Sequence, residues 1–293
     1  MYDDNFKMSK DKRIRNLSGL SQILLDLKPY RCDSDVYINQ DVDVTELVKY
    51  IEKYKENGDK ITYFHAFVTA LAKTMYNREK LNYYVRNRHL YEHNQIVISF
   101  VAKVSFDDKS EEVMILIPIN EKDNIFTIKD KITFELEKYR NKSNTVKKVG
   151  ANNAIDLLGK LPNIIRIPIV GIFKELDKLA MLPSSLIKDN LYYSSIIVSN
   201  LGSIKCNAIY HNLTNFGTCS SLMTIGEIKE KEIINANGKK EIRKYCEFGV
   251  NIDERIADGY YFAKSLKLFE YIINNPKMLE EDCNKKIEVK ENH

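Results

Sequence analysis

Residues 248–261 carry a strand-like alternation into Asp253-Glu254-Arg255-Ile256-Ala257-Asp258-Gly259 and then into a helical pattern. Four ionisable groups fall within six residues at a strand-to-helix junction. A sheet fixes the position of such a junction while its turn leaves side chains accessible. Carboxylates held there can move protons once their surroundings tune them. Asp258, just ahead of the helix, suits the N-cap. On residue types alone the plainer reading is that cap plus a surface ion pair between Glu254 and Arg255. Three more polar residues stand apart. Ser199 lies in a β-rich run closed by Leu201-Gly202, Thr224 lies in the next such run, and His211 sits in the polar, aromatic connection 207–217 between them. By type alone they are a strand serine before a turn, a β-branched strand residue and a loop histidine. His65 reads as a packed helix residue, and His89, His93 and His293 carry no signal. No set of histidines and carboxylates has metal-ligand spacing, so no metal is expected.

The elements that must position these residues follow from periodicity. Alternation at 35–44, 96–104, 113–119, 193–200, 222–229 and 244–252 predicts strands. In the last of these Cys246, Phe248, Val250 and Ile252 share one face, as in a half-buried strand. Helical spacing predicts helices at 45–55, 62–76, 127–140 and 258–273, and one or two helices within 155–182, broken near Pro162 and Pro168. A charged turn at 107–112 and Asn237-Gly238 mark hairpins. The apolar stretch 164–182 reads as a buried core helix, since it lacks a strongly basic opposite face. Strands and helices mix without a regular βαβ rhythm, which places the chain in the α+β class with a mixed or antiparallel sheet.

Length and composition exclude several functions. The chain has 293 residues, 44% apolar, with 45 basic and 41 acidic side chains interleaved along it. It can bury a sizeable core, and a net charge of +4 gives no nucleic-acid footprint. The five cysteines include no CxxC pair, which speaks for reduced thiols rather than a zinc or dithiol site. No apolar leader opens the chain and no stretch suffices for a transmembrane segment, so a cytoplasmic location is expected. The expected organisation is an N-terminal extension (1–11), one catalytic domain (12–282) and a frayed C-terminal tail (283–293).

Asp253-Glu-Arg-Ile-Ala-Asp-Gly259 resembles the DHRxxDG signature of the catalytic domain of 2-oxo acid dehydrogenase dihydrolipoamide acyltransferases, related to the HHxxxDG of chloramphenicol acetyltransferases. Val198-Ser-Asn-Leu-Gly202 is similar to the family's ISNLG, and Leu222-Met-Thr-Ile-Gly226 to its AILGVG strand. Asp41-Val-Asp-Val-Thr45 is similar to its DVT start, and Lys80-Leu-Asn82 to its PELN. Residues 98–119 resemble its IGIAV…LIVPVI hairpin, and Asn275-Pro-Lys-Met-Leu279 its LLENPERLL. The resemblance runs in order over residues 12–280. It implies a chloramphenicol-acetyltransferase-like mixed β-sheet flanked by helices. It also implies a homotrimer, or a multiple of three, with active sites in channels between subunits. Coenzyme A thioester would be the co-substrate, a small molecule the acceptor, and no cofactor would be bound covalently. No lipoyl domain or subunit-binding segment is visible, and Asp177-Lys178 lies in a helical pattern.

By the same resemblance Ser199 is the oxyanion donor and Thr224 lines the substrate site near the transition state. Asp258 is the motif aspartate that pairs with an arginine, Arg13 or Arg15. The family's general base is the motif histidine, and here that position is Glu254. A histidine near pKa ~6.5 suits the task, whereas a glutamate near ~4.3 needs burial to raise it. Two readings follow. One is an acyltransferase acting by direct attack on an acyl-CoA, with Glu254 as base and His211 as a second candidate. The other is a catalytically inactive relative serving as an oligomeric ligand-binding or scaffold module.

Overall fold

The computed structural model describes residues 11–103, 112–140 and 157–289. The charged turn expected at 107–112, Glu112 aside, lies outside them, as do residues 1–10 and His293. Two sheets organise the chain. A small sheet joins β1 (Lys12–Arg13), β3 (Tyr83–Arg86) and β4 (His89–Glu92) in the order β1-β4-β3. The main sheet has the order β2-β9-β8-β7-β5-β6, formed by β2 (Asp35–Asp43), β5 (Ile96–Lys103), β6 (Glu112–Ile119), β7 (Ile196–Asn200), β8 (Ser221–Ile234) and β9 (Lys240–Asp253). β7 pairs in parallel with both β5 and β8, and the remaining pairs are antiparallel. The sheet is therefore mixed, as the irregular element order implied.

Four helices cover one face of this sheet: α2 (Thr45–Glu56), α3 (Tyr63–Asn77), α4 (Ile125–Arg140) and α7 (Gly259–Asn274). Their apolar faces meet alternate strand residues, among them Val198, Met223, Ile225, Cys246, Phe248, Val250 and Ile252. Each of these elements begins or ends within a few residues of its expected bounds, because its apolar period matches the face it buries. α3 enters through a reciprocal cap. The Thr62 Oγ1 accepts from the His65 amide at 3.4 Å, and the His65 Nδ1 accepts from the Thr62 amide at 3.2 Å. His65 is thus packed, as expected, and burial, with help from Lys129, lowers its pKa to about 4.

The opposite face is covered by chain without regular structure. After β7, residues 206–216 run back as a strap across β8, β9 and β2. Glu227 donates its amide to the Cys206 carbonyl at 2.9 Å, and Asn251 Nδ2 donates to the His211 carbonyl at 3.0 Å. The close approach depends on two glycines. A Cβ at Gly226 would stand 2.8 Å from the Ala208 nitrogen, and one at Gly249 2.6 Å from the Ile209 oxygen.

Three elements depart from the sequence expectation. α5 (Asn163–Lys178) continues past Pro168, and its apolar first half is largely exposed, with Ile164 83% and Ile167 66% accessible and only Arg166 and Ile169 half-buried. It is not a buried core helix; only Asp177 is buried, while Phe173 and Leu176 pack on a small cluster of Leu182, Ile187 and Tyr193. α1 (Gly19–Leu27) and the β3–β4 hairpin were not legible. Asn87 and Arg88 carry that hairpin's turn at φ 47° and 60°, a left-handed pair without the glycine that usually signals it. A four-residue helix, α6 (Ser184–Ile187), completes the set. The start of the expected tail packs down instead of fraying. Cys283 is fully buried, and the buried Lys73 Nζ donates to the carbonyls of Glu281 and Asp282 at 3.1 and 2.7 Å.

His65 stays neutral in the fold and protonates more readily when unfolded, so its contribution to stability is present above about pH 6.5 and is lost as pH falls toward 4. Glutamine can keep the reciprocal cap without titrating. Equilibrium urea unfolding of His65→Gln between pH 4 and 7 is therefore expected to lose part of the parent's pH slope, up to about 1.4 kcal/mol per pH unit.

Candidate functional site

β9 ends in a buried cluster of charge. Asp253 takes two hydrogen bonds from Arg255, Nε to Oδ1 at 2.8 Å and Nη2 to Oδ2 at 2.6 Å. Arg31 approaches the same carboxylate at 3.8 Å and hydrogen-bonds Asp35 through Nη1. Asp35 pairs with Asp253 in the β2–β9 register, so two aspartates face each other across the strands. Like charges so placed repel unless cations stand between them, and the two arginines do. Arg31 also donates to the Ser220 carbonyl at 3.2 Å, and Arg255 to the Lys28 carbonyl at 2.9 Å. All four side chains are nearly inaccessible.

This cluster orients the turn that carries Glu254. The Glu254 amide donates to the Ser34 carbonyl at 3.0 Å. Its side chain is one-third exposed, and its Oε1 accepts from the Lys28 ammonium. The surface pair expected between Glu254 and Arg255 does not form: Arg255 turns inward to Asp253, and Lys28 takes its place. Asp258 is exposed and caps α7, accepting from the Tyr261 amide at 2.8 Å. Within the chain it makes no ion pair with Arg13 or Arg15; Arg13 contacts His89 Nδ1 at 3.1 Å. The buried aspartate–arginine pairing belongs to Asp253.

Ser199 and Thr224 lie side by side. They are register partners across β7 and β8, and Thr224 partners Gly249 on β9. All three face away from the helices, under or beside the strap. The buried Thr224 hydroxyl donates to the Ile209 carbonyl at 2.6 Å and accepts from the Ile209 amide at 3.1 Å, pinning the strap. Ser199 is half-buried, and its hydroxyl has no partner among the described residues. His211 is exposed on the strap, its Nδ1 2.9 Å from the Asn212 carbonyl. A neutral ring donating there carries its free lone pair on Nε2.

Glu254 does not meet Ser199 in this chain. Their rows are separated by four to five residues of β9, about 15 Å along the strand. The arrangement thus offers a hydroxyl donor on an accessible sheet face and, well removed, an outward carboxylate. Sequence reasoning missed Lys28, Arg31, Asp35, Asn251 and the inward role of Asp253. Only the i,i+4 spacing of Arg31 and Asp35 could have signalled part of it. Among the described residues no three His, Cys, Asp or Glu side chains converge as metal ligands, and no helix is long and apolar enough to cross a membrane.

Comparison with known proteins adds to this geometry. The profile of the family described as 2-oxoacid dehydrogenases acyltransferase (catalytic domain) matches residues 33–155 and 163–280. No curated protein sequence matches the chain. Among solved structures, a probable dihydrolipoamide acetyltransferase from Listeria monocytogenes is 19% identical with a TM-score of 0.57, over 91% of this chain and 96% of that one. The dihydrolipoamide acetyltransferase of Azotobacter vinelandii, studied for the roles of a serine, a histidine and an asparagine in its catalytic mechanism, is 14% identical at TM-score 0.59, over 91% and 93%. A chloramphenicol acetyltransferase is 12% identical at TM-score 0.52, over 90% and 98%.

Two aspartates of the turn can be told apart by stability. Asp253→Asn weakens the buried quartet and is expected to cost about 3–5 kcal/mol in urea unfolding. Asp258→Ala removes only a cap and is expected to cost about 1 kcal/mol.

Proposed function

The chain belongs to the 2-oxoacid dehydrogenase acyltransferase catalytic-domain family, and from that premise we propose that it transfers an acyl group from a coenzyme A thioester to a small-molecule acceptor by direct attack. The observation that carries this reading is Ser199. Its hydroxyl lies at the family's serine position, on the open face of the sheet, with no internal partner to compete for it. An unoccupied hydroxyl on a rigid strand can donate to an oxyanion without reorganisation.

The acceptor's O–H or S–H proton passes to a base as its heteroatom attacks the thioester carbonyl. The tetrahedral oxyanion takes the Ser199 hydrogen bond. It collapses by breaking the C–S bond, and the departing thiolate recovers the proton. The base is Glu254 at the motif position. About 15 Å separates it from Ser199 within one chain, so the pair works only if a neighbouring copy brings its Glu254 to the Ser199 of the first. We therefore propose a homotrimer or a multiple of three, with each channel shared between copies. Asp253 and Arg255 hold the turn that aims Glu254 outward, and Asp258 caps the helix behind it. Thr224 acts by fixing the strap beside the oxyanion site. His211, on that strap, is the second candidate base.

One observation favours the second reading, an inactive binding or scaffold module. Lys28 already occupies Glu254 Oε1, one of the two oxygens that could take an acceptor proton. Thiol release from acetyl-CoA and a long-chain acyl-CoA, assayed with a panel of alcohols, amines and thiols, separates the two. In a working enzyme Ser199→Ala is expected to slow release about 100-fold or more. Glu254→Gln is expected to slow it by a similar factor, with His211→Gln milder. If His211→Gln is the more damaging change, the base is on the strap. If calorimetry finds no binding of any CoA species at millimolar concentration, acyl transfer is excluded.

A further inference from the structure

A cleft of about 400 Å³ opens behind the charged quartet, on the side away from Glu254. Its walls are the β3–β4 turn, the C-terminal half of α5, the end of the strap and the segment around Tyr30. Most of its charges are committed. Asp177 accepts from the Tyr193 hydroxyl and the Gly217 amide, each at 2.8 Å, and pairs with Arg86 at 3.6 Å. Glu175 pairs with Lys178 at 2.6 Å, and Asp253 is held by Arg255.

Three groups facing the cleft are not committed. Arg88, lifted to the rim by the left-handed turn, and Lys174, on α5 opposite, have no partner among the described residues. Thr218 is 2% exposed, and its hydroxyl makes no hydrogen bond. A buried hydroxyl without a partner is unfavourable, and a ligand acceptor would relieve that. Two spare cations above a spare donor create a field that favours an anion. Val85, Pro29 and the Tyr30 ring supply apolar wall beside them.

We propose that this cleft binds a small molecule with one anionic group, phosphate or carboxylate, on a short apolar body. Arg88 and Lys174 clamp the anion, and Thr218 donates to it from below. The site is separate from the Ser199 row, so it stands or falls apart from acyl transfer. Arg31, Asp253 and Arg255 form its back wall.

The test is calorimetric titration of the full chain with hexyl phosphate, hexanoate and, as the uncharged control, 1-hexanol. At least one acid is expected to bind saturably with a Kd below about 1 mM, more weakly as salt is added, and hexanol is not. The tighter of the two acids identifies the anion. Arg88→Asn combined with Lys174→Gln is expected to weaken binding about tenfold or more, and Thr218→Val about threefold or more. Asparagine tolerates the turn conformation and the other two substitutions keep size, so thermal melts should not fall below the parent's, and Thr218→Val, which removes the unpartnered hydroxyl, can raise them. Ser199→Ala and Glu254→Gln should leave the acid's affinity unchanged. Failure of both acids to bind, equal binding of hexanol, or affinity indifferent to Arg88, Lys174 and Thr218 overturns the proposal.

Discussion

The pairing of Arg31 and Arg255 with Asp35 and Asp253 is the constraint from which the functional end of the molecule is built. Four charges are withdrawn from water at the meeting of the edge strand β2, the end of β9 and the segment that precedes β2. Such a group is tolerated only when each charge is matched and its remaining donors are used. Here most are used on backbone, Arg31 on the Ser220 carbonyl, Arg255 on that of Lys28, and Asn251, contacted by Arg31 at 3.4 Å, on that of His211, while Arg31 Nε keeps only its ion pair with Asp253 at 3.8 Å. One cluster thereby fixes the start of β8, the entry to β2 and the strap together. The turn between Asp253 and Asp258 has little freedom left, and residue 254 points outward as a consequence.

The strap is the second half of the device. A sheet face lacking helices would expose Leu222, and the strap covers it through Leu213 without adding an element. It can lie so close only because Gly226 and Gly249 present no side chain there, while Thr224 supplies both a donor and an acceptor to Ile209. Covering one part of the face leaves the rest open, and Ser199 sits at that margin. A hydroxyl placed there is held rigidly by β7 yet remains available to a ligand, the combination an electrostatic catalyst requires.

Much of this was legible in the sequence. The strands and the helices α2, α3, α4 and α7 declare themselves because each buries one periodic face, and the motif order from Asp41 to Leu279 fixed the family. Asp258 as a cap was likewise readable. The charged quartet was not, since Arg31 and Asp35 are remote in sequence from Asp253 and only the antiparallel register unites them. α5 misled for a different reason. An apolar composition on every side of a helix implies burial, yet among the described residues nothing lies over Ile164 or Ile167. The β3–β4 turn escaped notice because Asn-Arg supplies two left-handed residues without glycine.

Two aspartates in one short motif do different physical work, and the difference bears on the chemistry. Asp253 is a buried ion-pair acceptor that holds the turn, and Asp258 is an exposed cap that starts α7. Neither depends on the identity of the residue between them. Position 254 is aimed by its backbone, through the Ser34 carbonyl and the Arg255–Asp253 fork, so the fold accepts histidine or glutamate there with equal ease. Retention of the fold thus says nothing of which base is used. The residue decides its own surroundings: the Glu254 carboxylate draws the Lys28 ammonium, which an imidazole would not hold in the same way. Lys28 lies at the end of α1, whose Leu20, Ile23 and Leu27 are exposed but whose Leu25 is buried, and its carbonyl is held by Arg255 at 2.9 Å, so the side chain that answers Glu254 is tied to the same quartet that aims the turn.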